Sequence, residues 1–270
     1  MIFNRDSKKY LYHYTRADTA IDYILQGNTL KVSSYQKTND PKESKNWLFE
    51  IGTNHNSDLS AYNLWTLSDE LNREIKSSTY VICFSKDKVL TGNHLNDLLN
   101  RGYGRSRMWA QYAANHTGVC LVFDNDLLGQ AFHNEFSKFS YFAQNINYID
   151  RFIGERDSAY IINVDFLESL NSDMKEYALC HSETYKDRLF FEKLLDWEQE
   201  QEYRWVLMGG DVGREPLFNY LNSLKGIVFG ANCSEEHISK IVEMTKSRGV
   251  EYTQLKWRNC APWYNFERRF

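Results

Sequence analysis

The sequence predicts an α+β fold in a single domain that covers residues 1–270. Segments rich in β-forming residues lie near both ends of the chain, at 10–14 and 251–257, and helical patterns lie between them. The chain has only three prolines and no linker rich in Pro, Gly or Ser, so nothing in the sequence divides it into two domains. Aromatic residues make up 15% of the chain, which is enough to build a core and argues against disorder.

The elements of the first half follow from local patterns. Runs of aromatic and β-branched residues predict strands, and apolar residues repeated every three or four positions predict helices. In order, these patterns predict a strand at 10–14, a helix that begins at Thr15 and stops at Gly27, a strand at 29–33, a turn at 39–41, a strand at 79–84, a helix at 108–114 and a strand at 119–123.

The second half is assigned in the same way. Ser234 is a typical helix N-cap, followed by two glutamates, and Gly249 is a typical stop. The patterns predict a strand at 138–149, a largely helical stretch at 159–197 that is clearest at 185–197, strands at 202–208 and 226–229, a helix from Ser234 to Gly249 and a strand at 251–257.

Composition excludes several classes of protein. No apolar run approaches the roughly 18 residues of a membrane span, and the first ten residues lack the apolar core of a secretory signal. The five cysteines are scattered, which favours reduced thiols and a cytoplasmic location without membrane contact. A formal charge of −4 disfavours a polycation that binds nucleic acid over its whole surface.

Common catalytic motifs are absent from the sequence. It contains no Walker A loop, no G-x-S-x-G elbow and no Cys/His spacing typical of zinc, so we expect no metal ion. Arg101, Arg105 and Arg107 surround a pair of glycines that incompletely matches the dinucleotide motif. This basic segment is interpreted either as a mobile loop that binds a phosphate or the acceptor, or as an ordinary solvated loop.

A histidine lies between two tyrosines in the segment Tyr12-His13-Tyr14-Thr15. At the end of a strand, such a histidine can hydrogen-bond a ligand while a tyrosine ring stacks on a flat heterocycle. The alternative is that His13 is a core residue whose hydrogen bonds are satisfied by the protein.

The segment at 197–205 carries the most informative pattern. If a strand begins near Glu200, alternation places Glu200, Glu202 and Arg204 on one face. Two carboxylates about 7 Å apart repel each other, but they suit catalysis because one can hold a hydroxyl while the other accepts a proton. The alternative is a helix end with exposed acids. Glu43, just after the turn at 39–41, is a third candidate carboxylate.

Taken in order, these segments resemble a bacterial family catalogued as a domain of unknown function. The resemblance extends from about residue 10 to 250. It rests on L-Y-H-Y-T at 11–15, N-D-P-K-E at 39–43, C-F-S at 83–85, M-W-A-Q-Y-A at 108–113, G-V-C at 118–120, W-E-Q-E-Q-E-Y-R at 197–204 and G-I-V-F-G at 226–230.

That family is in turn similar to the ADP-ribosyltransferase superfamily, through the L-Y-H-Y-T strand and the E-x-E spacing. The resemblance implies an ADP-ribosyltransferase-like split mixed β-sheet core with helical insertions, and NAD as substrate. It implies that His13 binds the nicotinamide ribose and that Glu202 is catalytic, while Glu200 aligns or deprotonates the acceptor. The resemblance also implies that Ser85 or Tyr112 supports the NAD site and that Tyr14 or Tyr112 stacks on nicotinamide. Thr15 is expected to contact NAD from the same strand as His13. Arg204 or the three arginines of the basic segment are expected to hold the pyrophosphate.

The function expected from this resemblance is that of a mono-ADP-ribosyltransferase toxin from a toxin–antitoxin or anti-phage system, with a cognate antitoxin as partner. The expected acceptor is nucleic acid, with RNA favoured over DNA, and a protein acceptor is the alternative. Two other functions stay open: a ribonuclease-like toxin that uses His13 and Glu202 as an acid–base pair, and a non-catalytic binding module of the same fold.

Overall fold

The strands form mainly from segments rich in aromatic and β-branched residues. The computed structural model of the protein describes residues 4–151, 157–209, 216–259, 261–268 and 270. The strands in those ranges are β1 (Tyr10–Thr15), β2 (Thr29–Lys31), β3 (Ser33–Ser34), β4 (Glu50–Gly52), β5 (Thr79–Ser85), β6 (Val119–Asp124), β7 (Ser140–Asn145), β8 (Asn147–Tyr148), β9 (Ile161–Asn163), β10 (Glu192–Lys193), β11 (Glu202–Met208), β12 (Leu217–Asn219), β13 (Leu224–Phe229), β14 (Glu251–Arg258) and β15 (Ala261–Tyr264).

The helices are mostly short, and a side chain caps the N-terminus of most of them. They are α1 (Ala17–Thr19), α2 (Pro41–Ser44), α3 (Leu64–Ser78), α4 (Ser106–Tyr112), α5 (Asn125–Phe136), α6 (Val164–Ser169), α7 (Met174–Thr184), α8 (Lys186–Phe190) and α9 (Glu235–Thr245). A π-helical segment, Ala20–Leu25, continues α1. Turns of 3-10 helix lie at Tyr35–Lys37, Leu59–Ala61, Asn96–Asn100, Ser158–Tyr160, Leu195–Glu200, Leu221–Ser223 and Lys246–Arg248.

Nine of these strands form one mixed sheet, as expected for the α+β fold that the sequence predicts. Their order is β15-β14-β13-β6-β1-β5-β11-β7, and β3 pairs with β5 on the side where β1 lies. Strands β13 and β14 run parallel, whereas the other neighbours are antiparallel.

The sheet splits between β1 and β5. These two strands meet at one pair of residues, Tyr12 and Ser85. Further along β5, the place of β1 is taken by β3, which pairs Ser33 with Val81. The edge of β5 between these two contacts is therefore left facing a gap, and β1 lines the other side of it.

Alternation along the strands divides the core between the two faces of the sheet. In β11, Trp205 and Leu207 pack into the cluster under the π-helical segment, α5 and α9, while Val206 and Met208 pack into the cluster under α3 and α7. Burying each such side chain contributes about 1.5–3 kcal/mol. The tyrosines of β1 instead pack with Trp109 of α4 in a third cluster.

The predicted helix at 185–197 is not continuous, because a strand, Glu192–Lys193, separates an α-helix at its start from a 3-10 turn at its end. Helix α8 ends at Phe190, and Glu192–Lys193 then pairs in parallel with Asn147–Tyr148. A turn of 3-10 helix follows, so the chain reaches β11 by a bent path. Long-range strand pairing has overridden the local helical spacing here. The sequence analysis also missed α3 and α5.

No helix within the described residues is long and apolar enough to cross a membrane. Cys83, Cys120, Cys180 and Cys233 are free thiols, in agreement with the prediction, and Cys260 lies outside the described residues.

Candidate functional site

A cavity of about 480 Å³ lies at the gap between β1 and β5. Its walls come from β1, β3, β5, α4, β10, β11 and the segment 37–43. A volume of this size is typical of sites for small molecules. It brings together most of the residues singled out in the sequence, namely His13, Tyr14, Glu43, Ser85, Tyr112, Glu200, Glu202 and Arg204.

Lys193 joins the two glutamates of the E-x-E segment. Its Nζ is 2.8 Å from Glu200 Oε2 and 2.8 Å from Glu202 Oε2. All three side chains are 4% exposed or less. Two buried carboxylates without a cation would repel each other strongly, so the ammonium group between them stabilises their close approach in the interior.

Arg204 binds the carboxylates of Glu202 and Glu43. Its Nε is 2.6 Å from Glu202 Oε1, and its Nη1 is 2.6 Å from Glu43 Oε1. Nη1 also donates a hydrogen bond to the carbonyl of Phe190. Because the guanidinium is buried and its nitrogens contact protein groups, Arg204 is poorly placed for the predicted contact with a pyrophosphate.

Glu43 enters the cavity from the short helix α2. Asp40 caps this helix by accepting a hydrogen bond from the Lys42 amide, and Pro41 occupies its first turn. Glu43 is 1% exposed. Its Oε1 forms an ion pair with Arg204, but neither Oε1 nor Oε2 has a hydrogen-bond partner among the described residues. A buried carboxylate oxygen without a hydrogen-bond partner lowers the stability of the fold, so such an oxygen is a candidate for a functional role.

These contacts join five side chains into one charged cluster with three carboxyl groups and two cations. Its members are Glu43, Lys193, Glu200, Glu202 and Arg204. Burial alone would raise the pKa of Glu202, but Arg204 and Lys193 outweigh it and hold that pKa below its usual value. Burial outweighs Arg204 at Glu43, whose pKa is raised. The surrounding carboxylates overcome the effect of burial at Lys193 and raise its pKa. The cluster therefore contains one more acidic group than basic groups, and Glu43 is the carboxyl whose charge burial disfavours.

The backbone brings Glu200 and Glu202 together in a different way from the one predicted. Strand β11 begins at Glu202, and Gln201 has a left-handed conformation with φ of 47°. Glu200 therefore lies at the end of the preceding 3-10 turn rather than on the strand. The two carboxylates still converge, because Lys193 binds both.

Tyr112 links Glu200 to the opposite wall of the cavity. Its hydroxyl donates a hydrogen bond to Glu200 Oε1 at 2.7 Å and accepts one from Asn39 Nδ2 at 2.8 Å. Burial and the Glu200 carboxylate raise the pKa of this phenol, so it is a donor at any physiological pH. The ring is only partly buried and lies on the cavity wall.

His13 and Glu202 lie on strands that flank β5, and Cys83 lies between them. His13 Nδ1 is 3.3 Å from the Cys83 carbonyl oxygen, and the Cys83 thiol is one of the groups that lower the pKa of Glu202. Burial lowers the pKa of His13, so the imidazole is neutral at pH 7. A proton on Nδ1 satisfies the carbonyl and leaves Nε2 as a hydrogen-bond acceptor.

Three other predicted residues are placed less favourably for contact with a molecule in this cavity. Tyr14 is 7% exposed, its hydroxyl donates to the Gly102 carbonyl, and its ring packs edge-on against Trp109. Ser85 is buried and donates its hydroxyl hydrogen to the Glu200 carbonyl. Thr15 lines a neighbouring cavity rather than this one.

The arginine segment is packed, and the burial of Arg101 and Arg105 contradicts both interpretations made from the sequence, a mobile loop and a solvated loop. Arg101 is 1% exposed and pairs with Asp87 at 2.9 Å. Arg105 is also buried and donates hydrogen bonds to Ser85 Oγ and the Lys86 carbonyl. A Cβ added at Gly102 would overlap the Tyr12 ring, so this glycine permits close packing.

Arg107 is therefore the one arginine of the three that is exposed. Its guanidinium stacks on the Trp197 ring, 5.2 Å from the centroid, and donates a hydrogen bond to the Asp196 carbonyl. Lys193 lies against the same ring at 4.9 Å. Arg107 and Trp197 thus form a surface next to the charged cluster.

Lys193 and Asn39 are site residues that the sequence analysis did not identify. Lys193 falls in the strand that interrupts the helix predicted at 185–197, so its position in the cavity had no local signal. Asn39 was read only as part of a turn. Two buried glutamates need a nearby cation, and that need is the signal that could have pointed to a lysine such as Lys193.

No curated protein and no solved structure is detectably similar to the chain. The chain does match a family of unknown function, but over a shorter stretch than the resemblance predicted from the sequence, which extended over residues 10–250. The matched stretch contains Tyr112, Lys193, Glu200, Glu202 and Arg204, but neither His13 nor Glu43. Over residues 108–205, the chain is similar to the family described as "Protein of unknown function (DUF2971)".

Proposed function

We propose that the protein is an NAD-dependent mono-ADP-ribosyltransferase and that the cavity holds the nicotinamide riboside half of NAD. The observation that carries this proposal is the position of three carboxylates and a neutral histidine around one cavity at a split in the sheet. A site lined by carboxyl groups, at least one of which is held ionised, favours a substrate that becomes more cationic at its reacting carbon.

The chemistry begins with cleavage of the bond between nicotinamide nitrogen and ribose C1′. The bonding electron pair leaves with nicotinamide, which becomes neutral, and positive charge develops on the ribose ring as in glycoside hydrolysis. Glu202 stabilises that charge because its low pKa keeps it ionised. The acceptor then forms the new bond to C1′ and loses a proton.

His13 and Tyr112 orient the substrate in this scheme. The neutral imidazole offers Nε2 to a ribose hydroxyl, since Nδ1 faces the Cys83 carbonyl. The partly exposed ring of Tyr112 provides a surface for the nicotinamide ring. Tyr112 is a better candidate for stacking than Tyr14, whose hydroxyl and ring already contact the protein.

A second cavity, of about 1030 Å³, provides room for the ADP half of NAD. It shares the wall formed by His13, Lys31, Ser33, Ser34 and Lys37 with the first cavity. Lys31 and Lys37 bring positive charge to the boundary, where a pyrophosphate that links the two halves would lie. Thr15 lines this second cavity, which is consistent with its predicted role in NAD binding.

From the family resemblance, we propose that the acceptor is nucleic acid, with RNA favoured. From the same resemblance, we propose that the protein acts in a toxin–antitoxin or anti-phage system with a cognate antitoxin. The exposed Arg107 and the half-buried Trp197 ring next to it fit a contact with a phosphate and a base. A ribonuclease is less well supported, because Glu202 is held by two cations and is a weak proton acceptor.

The direct test uses NAD labelled in its adenylate phosphate. The protein is incubated with this NAD and with RNA, single-stranded DNA or a protein extract in separate reactions. Transfer of label together with release of nicotinamide supports the proposal. Cleavage of RNA without any need for NAD would favour the ribonuclease instead.

A further inference from the structure

The three carboxylates of the cluster differ in how many of their oxygens are already occupied. Glu200 receives the Tyr112 hydroxyl on Oε1 and Lys193 on Oε2. Glu202 receives Arg204 on Oε1, and both Lys193 and Arg204 on Oε2. Each of these oxygens therefore faces a strong donor, which weakens it as a proton acceptor.

Glu43 is the exception in this cluster. Neither of its oxygens has a hydrogen-bond partner among the residues that the structure describes; Oε1 lies 2.6 Å from Arg204 Nη1 in an ion pair, and Oε2 lacks even that contact. The side chain is 1% exposed and lies on the cavity wall. An oxygen in that position has lone pairs available to a group that enters the cavity, and burial strengthens its affinity for a proton.

The position of Glu43 is fixed by its helix. Asp40 caps α2, and the Glu43 amide itself donates to the Asp40 carbonyl at 3.0 Å. The ion pair with Arg204 holds the carboxylate from the other side. A base that is held in this way needs little reorganisation before it accepts a proton.

We propose that Glu43, rather than Glu200, is the general base that removes the proton from the acceptor. This inference rests on the proposed ADP-ribosyltransferase function. As the acceptor oxygen or nitrogen bonds to ribose C1′, its O–H or N–H bond breaks and the proton goes to Glu43 Oε2. Nicotinamide has by then left with its electron pair, so the step needs no other reactant.

Two small nucleophiles separate a base from a merely structural residue. Methanol must lose a proton when it attacks C1′, whereas azide carries none. The measurement is the formation of methyl ADP-riboside and of ADP-ribosyl azide from NAD, followed by chromatography. Wild-type protein is compared with Glu43→Gln, which keeps the size of the side chain.

The control is Glu192→Gln. Glu192 is also a buried glutamate paired with arginines, Arg151 and Arg188, but it does not line the cavity. A loss of stability caused by removing one buried carboxylate should affect both variants and both nucleophiles.

We expect Glu43→Gln to lower methyl transfer by about 100-fold, as is typical when a general base is removed. Azide transfer should stay within a few-fold of wild type, and Glu192→Gln should preserve the wild-type ratio of the two products. Equal losses of both products in Glu43→Gln, or full retention of both, would overturn the assignment of Glu43. If wild-type protein releases no nicotinamide under any condition, the proposed function itself fails, and the role of Glu43 with it.

Discussion

Lys193 and Glu202 form an ion pair of 2.8 Å in which neither side chain is more than 4% exposed. The same ammonium group binds Glu200 at the same distance. Moving such charges from water into a protein costs several kcal/mol for each ion, and only close partners recover that cost. The cluster therefore depends on all of its members, which gives direct predictions for stability.

Lys193→Met should lower the free energy of unfolding by about 3–5 kcal/mol, because Glu200 and Glu202 would then repel each other without a cation between them. Urea denaturation at pH 7 measures this change. Lys175→Met, at an exposed position on α7, is the matched control and should change stability by less than about 0.5 kcal/mol. A loss below about 1 kcal/mol in Lys193→Met would contradict the claim that the cluster depends on this cation.

Arg101→Ala and Arg107→Ala should have different effects. Removing Arg101 leaves Asp87 buried without its cation, and we expect a loss of about 3–5 kcal/mol in unfolding free energy. Arg107 is exposed, so its removal should cost less than about 1 kcal/mol. Thermal or urea denaturation of the two variants checks this. Similar small effects for both would restore the view of this segment as a mobile loop.

Tyr112→Phe removes the hydroxyl that connects Glu200 with Asn39 but keeps the ring. Stability should fall by about 2 kcal/mol, because a hydrogen bond to a charged group is lost. NAD affinity, measured by calorimetry, should change little if the ring supplies the stacking surface. Tyr112→Leu lacks the ring, and its affinity should fall by about 5- to 10-fold. The stacking role is refuted if both variants bind NAD equally.

His181, which lies outside the cavity, should make the stability of the fold depend on pH. Burial lowers its pKa from 6.5 to about 4, and its Nε2 hydrogen-bonds the Ala159 carbonyl. Because the unfolded chain binds the proton more tightly, this histidine stabilises the fold above pH 6.5, and that contribution is lost as the pH falls towards 4. The size of the effect is about 3 kcal/mol.

His181→Gln keeps a donor for the carbonyl but does not titrate. Its stability, measured by urea denaturation from pH 7 to pH 4, should decline less steeply than that of wild type. His133→Gln, on the surface of α5, serves as the control and should leave the wild-type slope in place. Identical slopes for wild type and His181→Gln would assign the acid sensitivity to other groups.

Much of the sheet could be predicted because its strands carry strong local signals. TYVICF and VCLVFD are rich in β-branched and aromatic residues, and both are buried strands in the structure. Helix α9 was found from Ser234 and Gly249, which cap and terminate it as expected. Helix α3 was missed because its buried face includes Ser68, Asn72 and Lys76, so that apolar spacing alone is weak.

The cavity could be predicted only in part. Glu200, Glu202, His13 and Tyr112 were identified from sequence, and the structure brings them to one place. The balance of charge was not predictable, since Lys193 reaches the glutamates through the pairing of β10 with β8. The burial of Arg101 and Arg105 depends likewise on distant partners, Asp87 and Lys86, that no local pattern reveals.

The central claim is that Glu202 stabilises positive charge on the ribose of NAD, and the most direct test is nicotinamide release by wild type and by Glu202→Gln at saturating NAD. The account predicts that the variant releases nicotinamide about 100-fold more slowly while its NAD affinity stays within a few-fold, since one preorganised electrostatic contact is worth about 2.7–4 kcal/mol. Glu200→Gln should impair transfer to an acceptor by less than Glu43→Gln does. Wild-type rates of release from Glu202→Gln would contradict the account.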